Sequence, residues 1–206
     1  LAHMAERKAF EITLNSIVKK SRKGEDLSEV FGSLIDKMEK VLGDSWEASS
    51  YEMLRKIACE PDSKWAHYTE RILKEVDPNI ITTFALNAGY EGGFRGFKTS
   101  LEMSEKYDCN IPWIILMDPT TACNLHCTGC WAAEYGNKLN LTYEEMDKIV
   151  TEGKELGIHA YLFTGGEPLI RKDDIIRLCE KHKDVAFHAF TNGTLIDQKF
   201  CDDLLR

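Results

Sequence analysis

From residue 111 onward the chain alternates short apolar runs with amphipathic stretches, and this alternation limits the possible folds more than any other feature. Residues 111–117, 159–163 and 185–190 are apolar runs of strand length, the first ended by Asp118-Pro119. Between and after them lie stretches with the 3.6-residue period of a helix. The first opens at Thr142-Tyr143-Glu144-Glu145, a capping box, and runs through Met146, Ile149, Val150 and Leu156 to a stop at Gly157. The others cover residues 173–182 and 197–205. The pattern predicts βαβαβα, hence a parallel sheet with right-handed crossovers and a first strand buried on both faces. In such architectures the loops that leave the strand C-termini carry the chemistry.

Those loops hold the residues most able to do chemistry. The first contains Cys123, Cys127 and Cys130 in a C-x3-C-x2-C array, three of the seven cysteines within eight residues. Three soft sulfur donors suit an iron–sulfur cluster or zinc, but a structural zinc site takes four protein ligands. No fourth ligand follows at a C-x2-C or H-x3-H spacing, so one metal position is left open. The second loop reads Thr164-Gly165-Gly166-Glu167-Pro168, and the third reads Thr191-Asn192-Gly193. A Gly-Gly pair lets backbone approach a ligand that a Cβ would exclude, and Glu167 can set a carboxylate beside an ammonium group. The plainer readings are a turn leaving a strand and an Asn-Gly turn dipeptide.

Taken in order, the three motifs over residues 111–206 resemble the radical S-adenosylmethionine (radical SAM) superfamily. The resemblance implies a partial (βα)6 TIM-like barrel, of which this chain would hold the first three βα units. It implies that Cys123, Cys127 and Cys130 ligate a [4Fe–4S] cluster whose fourth iron takes S-adenosylmethionine. One electron would then give a 5′-deoxyadenosyl radical that abstracts hydrogen from a small-molecule or peptide substrate, with reduced flavodoxin or ferredoxin as electron donor. The cofactor would lie against Gly165, Gly166, Glu167, Pro168, Thr191 and Asn192. The residue before the last cysteine is usually aromatic in the family, whereas here it is Gly129; Trp131 is the candidate substitute, packing at the barrel mouth being its other reading. The motif set is similar to the branch that holds molybdenum-cofactor, haem-modifying and SPASM-type peptide-maturing enzymes. An iron–sulfur electron carrier or sensor is the alternative, followed by a zinc-stabilised interaction module. His126 reads as a solvent-facing residue or one behind the ligands, and His159 and His188 read as core or barrel residues.

Residues 1–110 read as a separate, all-helical region with no chemistry of their own. Helices are expected over 5–20; from the cap Asp26 along Leu27, Val30, Phe31, Leu34, Met38, Val41 and Leu42 to Gly43; over 46–58; over 64–76 from the cap Ser63; over 79–88 after Asp77-Pro78; and over 97–107. The glycine-rich stretch 89–96 matches neither a dinucleotide fingerprint nor a P-loop and reads as a loop between helices. Met38, Trp46 and Trp65 read as core.

Charge narrows the partners. Residues 1–110 carry 16 basic and 19 acidic side chains, net −3, and residues 111–206 carry 10 and 15, net −5, which gives the −8 of the whole chain. Neither part offers the positive stripe that phosphates require, so no nucleic-acid partner is expected; the cluster Lys19, Lys20, Arg22, Lys23 reads as a solvated helix end. No apolar run is long enough for a bilayer, which predicts a cytoplasmic protein without membrane contact, its Cys59, Cys109, Cys179 and Cys201 reduced and at least half-buried. Leu1-Ala2-His3 reads as the remnant of an expression tag ahead of Met4. Three βα units, against about six of about thirty residues in a full barrel, lead to the expectation that the chain is a piece of a longer polypeptide.

Overall fold

The computed structural model describes residues 2–42, 47–60, 63–132, 136 and 138–206, without the side chains of Ala2, Met38, Val41 and Leu42. The stripe positions Met38, Val41 and Leu42, the Gly43 stop and Trp46 therefore lie outside what is described. Two compact units emerge, residues 1–83 and 84–206.

The first unit is helical: α1 (Ala2–Arg22), α2 (Ser28–Leu42), α3 (Ala48–Cys59), α4 (Lys64–Glu75) and the start of α5 (Pro78–Phe84). The expected caps form, with Asp26 accepting from Ser28 N at 2.8 Å, Ser63 from Ala66 N at 3.4 Å and Asp77 from Asn79 N at 2.8 Å. Ile17, Val18, Leu27 and Leu73 are buried together, with Val30, Phe31, Leu34 and Ile81 packed on them. One member of the basic cluster is more than a solvated end. Arg22 donates to Leu73 O at 3.2 Å and Val76 O at 2.6 Å, satisfying carbonyls that the last turn of α4 leaves without a helical partner. Trp65, expected in the core, is 60% exposed and meets Tyr68 edge-on.

The second unit holds a three-stranded parallel sheet in the order β1 (Ile115–Met117), β2 (Ala160–Phe163), β3 (Ala186–Ala189). The ladder pairs Ile115 with Tyr161 and Leu116 with Leu162, then Ala160 with Ala186 and Leu162 with His188. Side chains alternate between faces along a strand, and α7 (Tyr143–Glu155) and α8 (Lys172–Lys181) supply the cover for one face. Met117, Tyr161 and Phe163 are buried there with Met146, Val150, Ile175 and Leu178. Fully burying an aliphatic side chain of this size contributes about 1.5–3 kcal/mol. The expected burial of the first strand on both faces is not observed: Leu116 is 59% exposed and Trp113 78%, and the first paired residue is Ile115. On that other face Phe84 meets the exposed His188 edge-on at 5.2 Å, which excludes the core alternative of the two expected for His188.

The capping box forms as read, Thr142 Oγ1 accepting from Glu145 N at 3.2 Å and Glu145 Oε2 from Thr142 N at 2.7 Å. The glycine-rich stretch, in contrast, is no loop. Residues Ala85–Gly96 form a π-helix that continues into α6 (Phe97–Tyr107). Of its glycines, Gly96 serves close approach. A Cβ at Gly96 would fall 2.2 Å from Gly157 O, and one at Gly157 (φ +90°) 2.4 Å from Gly96 O. Asn87 Nδ2 donates to Val185 O at 2.9 Å, so this helix belongs with the sheet, and the compact units divide at 83/84 whereas the periodicity changes at 110/111.

Candidate functional site

The chain leaves β1 at Asp118 and returns at Leu141, and this excursion carries all three motif cysteines. Its neck is held from several sides. Thr120 and Asn140 form an antiparallel bridge, Thr121 N donates to Leu139 O at 2.9 Å and Leu141 N to Pro119 O at 3.0 Å. Arg171 spans the same neck, donating from Nη1 to Leu141 O at 2.6 Å and Pro119 O at 3.3 Å. Its Nε and Nη2 are aimed by Asp174 Oδ2 at 2.9 and 2.7 Å.

Within the loop Cys123 is half-buried and Cys127 and Cys130 are exposed, all three free thiols. Leu125 N donates to Cys123 Sγ at 3.5 Å, and Cys130 N to Cys127 O at 3.2 Å across a turn through Gly129 at φ +76°. The chemistry of this donor set fits the cluster implied by the sequence: three free thiols in one loop, two open to solvent. As they stand the thiols are not gathered, since among the described residues no three His, Cys, Asp or Glu side chains are disposed to hold a metal ion. Trp131 is 63% exposed beside them. Of the other cysteines, Cys109 is exposed rather than half-buried, while burial pushes the Cys179 thiol up to about 11.

The Gly-Gly-Glu-Pro loop after β2 lies directly against the start of the cysteine loop. Gly166 N donates to Thr120 O at 3.0 Å and Glu167 N to Ala122 O at 2.8 Å. Gly165 takes φ +101°, and a Cβ on Gly166 would sit 2.1 Å from Ala122 O and 2.7 Å from Thr121 O, so only glycine permits this joint. Pro168 is buried and opens a 3-10 turn, Pro168–Arg171, that feeds α8.

Glu167 is 1% exposed and joins the second loop to the third. Its Oε1 accepts from Leu169 N at 2.9 Å and Thr191 Oγ1 at 2.7 Å, and its Oε2 from Asn192 N at 2.8 Å. A buried carboxylate with three donors is well satisfied, and its partners here are protein groups. Asn192 in turn reaches the cysteine loop, donating from Nδ2 to Asn124 Oδ1 at 2.9 Å. The three strand-end loops are thus tied at one end of the sheet. Below them α9 (Gln198–Leu204) starts at its cap Asp197, whose carboxyl is held low by the hydrogen bond from Lys172.

Sequence reasoning passed over four residues of this arrangement: Thr120, Asn124, Arg171 and Thr194. For Asn124 and Thr194 a signal existed, since short amide and hydroxyl side chains flanking loop motifs commonly bond neighbouring backbone. For Arg171 none did, its acceptors lying 30 and 52 residues away.

Residues 117–206 match the family described as the Radical SAM superfamily. The chain is 36% identical over 114 residues to a GTP 3′,8-cyclase of Thermodesulfovibrio yellowstonii, covering 50% of this chain and 34% of that one. It is 32% identical over 96 residues to an Fe-coproporphyrin III synthase of Methanosarcina barkeri (44% and 24% covered). It is 33% identical over 94 residues to an uncharacterized protein of Archaeoglobus fulgidus (44% and 22% covered). The chain thus spans about a quarter to a third of the length of these relatives. No solved structure matches it significantly. Radical SAM superfamily enzymes use a [4Fe–4S] cluster and S-adenosylmethionine.

Proposed function

With residues 117–206 belonging to the radical SAM superfamily as the premise, we propose that this chain carries the cluster- and cofactor-binding half of a radical SAM enzyme. Residues 111–206 are the first three βα units of its barrel, the helix of residues 85–96 packs with their sheet, and residues 1–83 form an accessory helical region. Cys123, Cys127 and Cys130 would hold the [4Fe–4S] cluster. S-adenosylmethionine lies against Gly165, Gly166, Glu167, Pro168, Thr191 and Asn192, with Trp131 beside the adenine. When bound and reduced, the cluster supplies reductive cleavage of S-adenosylmethionine to a 5′-deoxyadenosyl radical that takes a hydrogen from a small-molecule or peptide substrate.

The residues of this chain bind and orient. Gly165 and Gly166 keep side chains out of the joint, so that backbone of the second loop is available to a ligand. Glu167 holds the Thr191–Asn192 segment in place, and Arg171 holds the neck of the loop that carries the cysteines. The reductant is a low-potential carrier such as flavodoxin or ferredoxin, and the setting is cytoplasmic; among the described residues no helix is long and apolar enough to cross a membrane.

The observation that supports this reading most is that the three motif-bearing loops meet at one end of a parallel sheet, linked through Gly166, Glu167, Asn192 and Asn124. The test is anaerobic reconstitution with iron and sulfide, followed by iron quantitation and 5′-deoxyadenosine assay under reductant. Cys123→Ala, Cys127→Ala and Cys130→Ala are expected to lose iron while Cys59→Ala retains it. Equal retention in all four overturns the ligand assignment, and iron binding without S-adenosylmethionine binding or cleavage favours an electron carrier.

A further inference from the structure

A closed ring of three side-chain hydrogen bonds joins the cysteine loop to the third loop. Thr194 Oγ1 donates to Asn192 Oδ1 at 2.7 Å, Asn192 Nδ2 donates to Asn124 Oδ1 at 2.9 Å, and Asn124 Nδ2 donates to Thr194 Oγ1 at 2.7 Å. Nothing in the ring itself would decide which way round it runs, because an amide can flip and a hydroxyl can turn. A fourth bond decides it. Thr194 N donates to Asn192 Oδ1 at 3.0 Å, and a backbone N–H can only face an oxygen. The amide orientation of Asn192 is therefore fixed, and with it that of Asn124.

The donor inventory of Asn192 then becomes definite. Its Oδ1 has both lone pairs engaged by Thr194, and one Nδ2 hydrogen is given to Asn124. One amide hydrogen of the side chain remains to offer a ligand, and its Oδ1 has no lone pair to spare. Its backbone N–H is meanwhile held by buried Glu167.

We propose that Asn124 is a positioning residue that locks Asn192 in the orientation presenting an amide hydrogen, so that Asn192 recognises an acceptor oxygen of the bound cofactor, a carboxylate or hydroxyl. This rests on the reading of the loops as a cofactor site, and goes beyond it by giving a task to a residue that is neither a cluster ligand nor part of the later motifs. Asn124 adjoins Cys123, so the ring also sets the orientation of Asn192 from the cluster-bearing loop, and the two loops act as one binding surface.

Two experiments separate the ring from its use. In the metal-free chain, amide hydrogen exchange at Thr194 reads the ring directly. Asn124→Ala is expected to speed it about tenfold, the scale of losing hydrogen bonds of ordinary strength, while Thr194→Ser leaves it unchanged. Unaltered exchange in Asn124→Ala overturns the proposal whether or not the chain takes up iron. In the reconstituted chain, Asn124→Ala and Thr194→Val are each expected to weaken S-adenosylmethionine binding by calorimetry about five- to tenfold at unchanged iron content. Because either change opens the same ring, the double variant should lose little more than a single one, and Thr194→Ser should bind like the wild type. Affinities within twofold of the wild type, or losses that simply add, overturn it. Loss of iron in Asn124→Ala also overturns it, since Asn124 would then serve the cysteine loop alone. A wild-type chain that binds iron but no S-adenosylmethionine refutes the cofactor half together with the functional reading, while the exchange result still judges the ring.

Discussion

Replacing Gly166 by alanine tests the joint between the first two loops most sharply. The added Cβ would stand 2.1 Å from Ala122 O, 2.5 Å from Ala122 C and 2.7 Å from Thr121 O, all backbone atoms that no rotamer change can clear. To reach the 3.4 Å of an ordinary contact, the strand of loop at Ala122 must retreat about 1.3 Å. That movement stretches Glu167 N to Ala122 O, now 2.8 Å, and Gly166 N to Thr120 O, now 3.0 Å, beyond bonding distance. Each such bond contributes about 1 kcal/mol net, and more where the freed group stays buried, so a loss of about 2–4 kcal/mol is expected. With a urea slope of about 2 kcal/mol per molar, the midpoint of the second unit should fall by roughly 1–2 M. Gly89→Ala is the control, because nothing lies within 4 Å of its Cβ and its φ is not positive. That variant should be unchanged or more stable by about 0.5–1 kcal/mol. Urea unfolding of both variants decides the matter, and a Gly166→Ala midpoint equal to that of Gly89→Ala would refute the steric argument.

Two further outcomes follow from particular groups. Glu167→Gln replaces one acceptor oxygen by an NH2 that must face Asn192 N or the pair Leu169 N and Thr191 Oγ1, so it should cost about 1–3 kcal/mol by urea unfolding; wild-type stability would show that the carboxylate is not the knot described. Burial lowers the pKa of His159, against the pull of its bond to Asp184 O and the charges of Asp184 and Glu91, with Lys154 adding to the lowering. A depressed imidazole pKa means that the unfolded chain binds the extra proton first. The stability held in neutral His159 is therefore complete above about pH 6.5 and is lost as pH falls below it towards the folded value. Unfolding midpoints at pH 7.5 and 5.5 should differ in the wild type and differ less in His159→Gln; equal slopes in the two proteins would contradict the assignment.

How far the sequence could be read depended on how local each cause was. The capping box at Thr142 and Glu145 is contained within four residues, and it formed as read. The strands after residue 111 were legible as apolar runs, but which face of β1 would be covered was not. Nothing between residues 111 and 117 reports that α7 and α8 cover only one side, leaving Leu116 open. The π-helix is not legible in the sequence because glycine is weak in helices taken alone; what requires Gly96, the close approach of Gly157, lies 61 residues on. Glu167 is legible from its motif, yet two of the three donors that fill its carboxylate come from Thr191 and Asn192, 24 and 25 residues on, and only Leu169 N is local. Motif recognition named the residues at the site, and distant partners decided what each one touches.

The bridged neck of the cysteine loop bears on how such a segment can vary. Because Thr120, Asn140 and the guanidinium of Arg171 close the loop at its base, and Ala122 and Asn124 are tied to the second and third loops, the sheet is insulated from how much chain lies between Trp131 and Leu139. The entropy of closure rises only logarithmically, about 0.6 kcal/mol for each doubling of length, which a single neck hydrogen bond of ordinary strength offsets. Insertions distal to Trp131 should therefore be tolerated where insertions at Pro119 or Leu141 are not. The segment behaves as a length-tolerant cassette, free to acquire residues that meet different substrates while its root stays in register with β1 and β2.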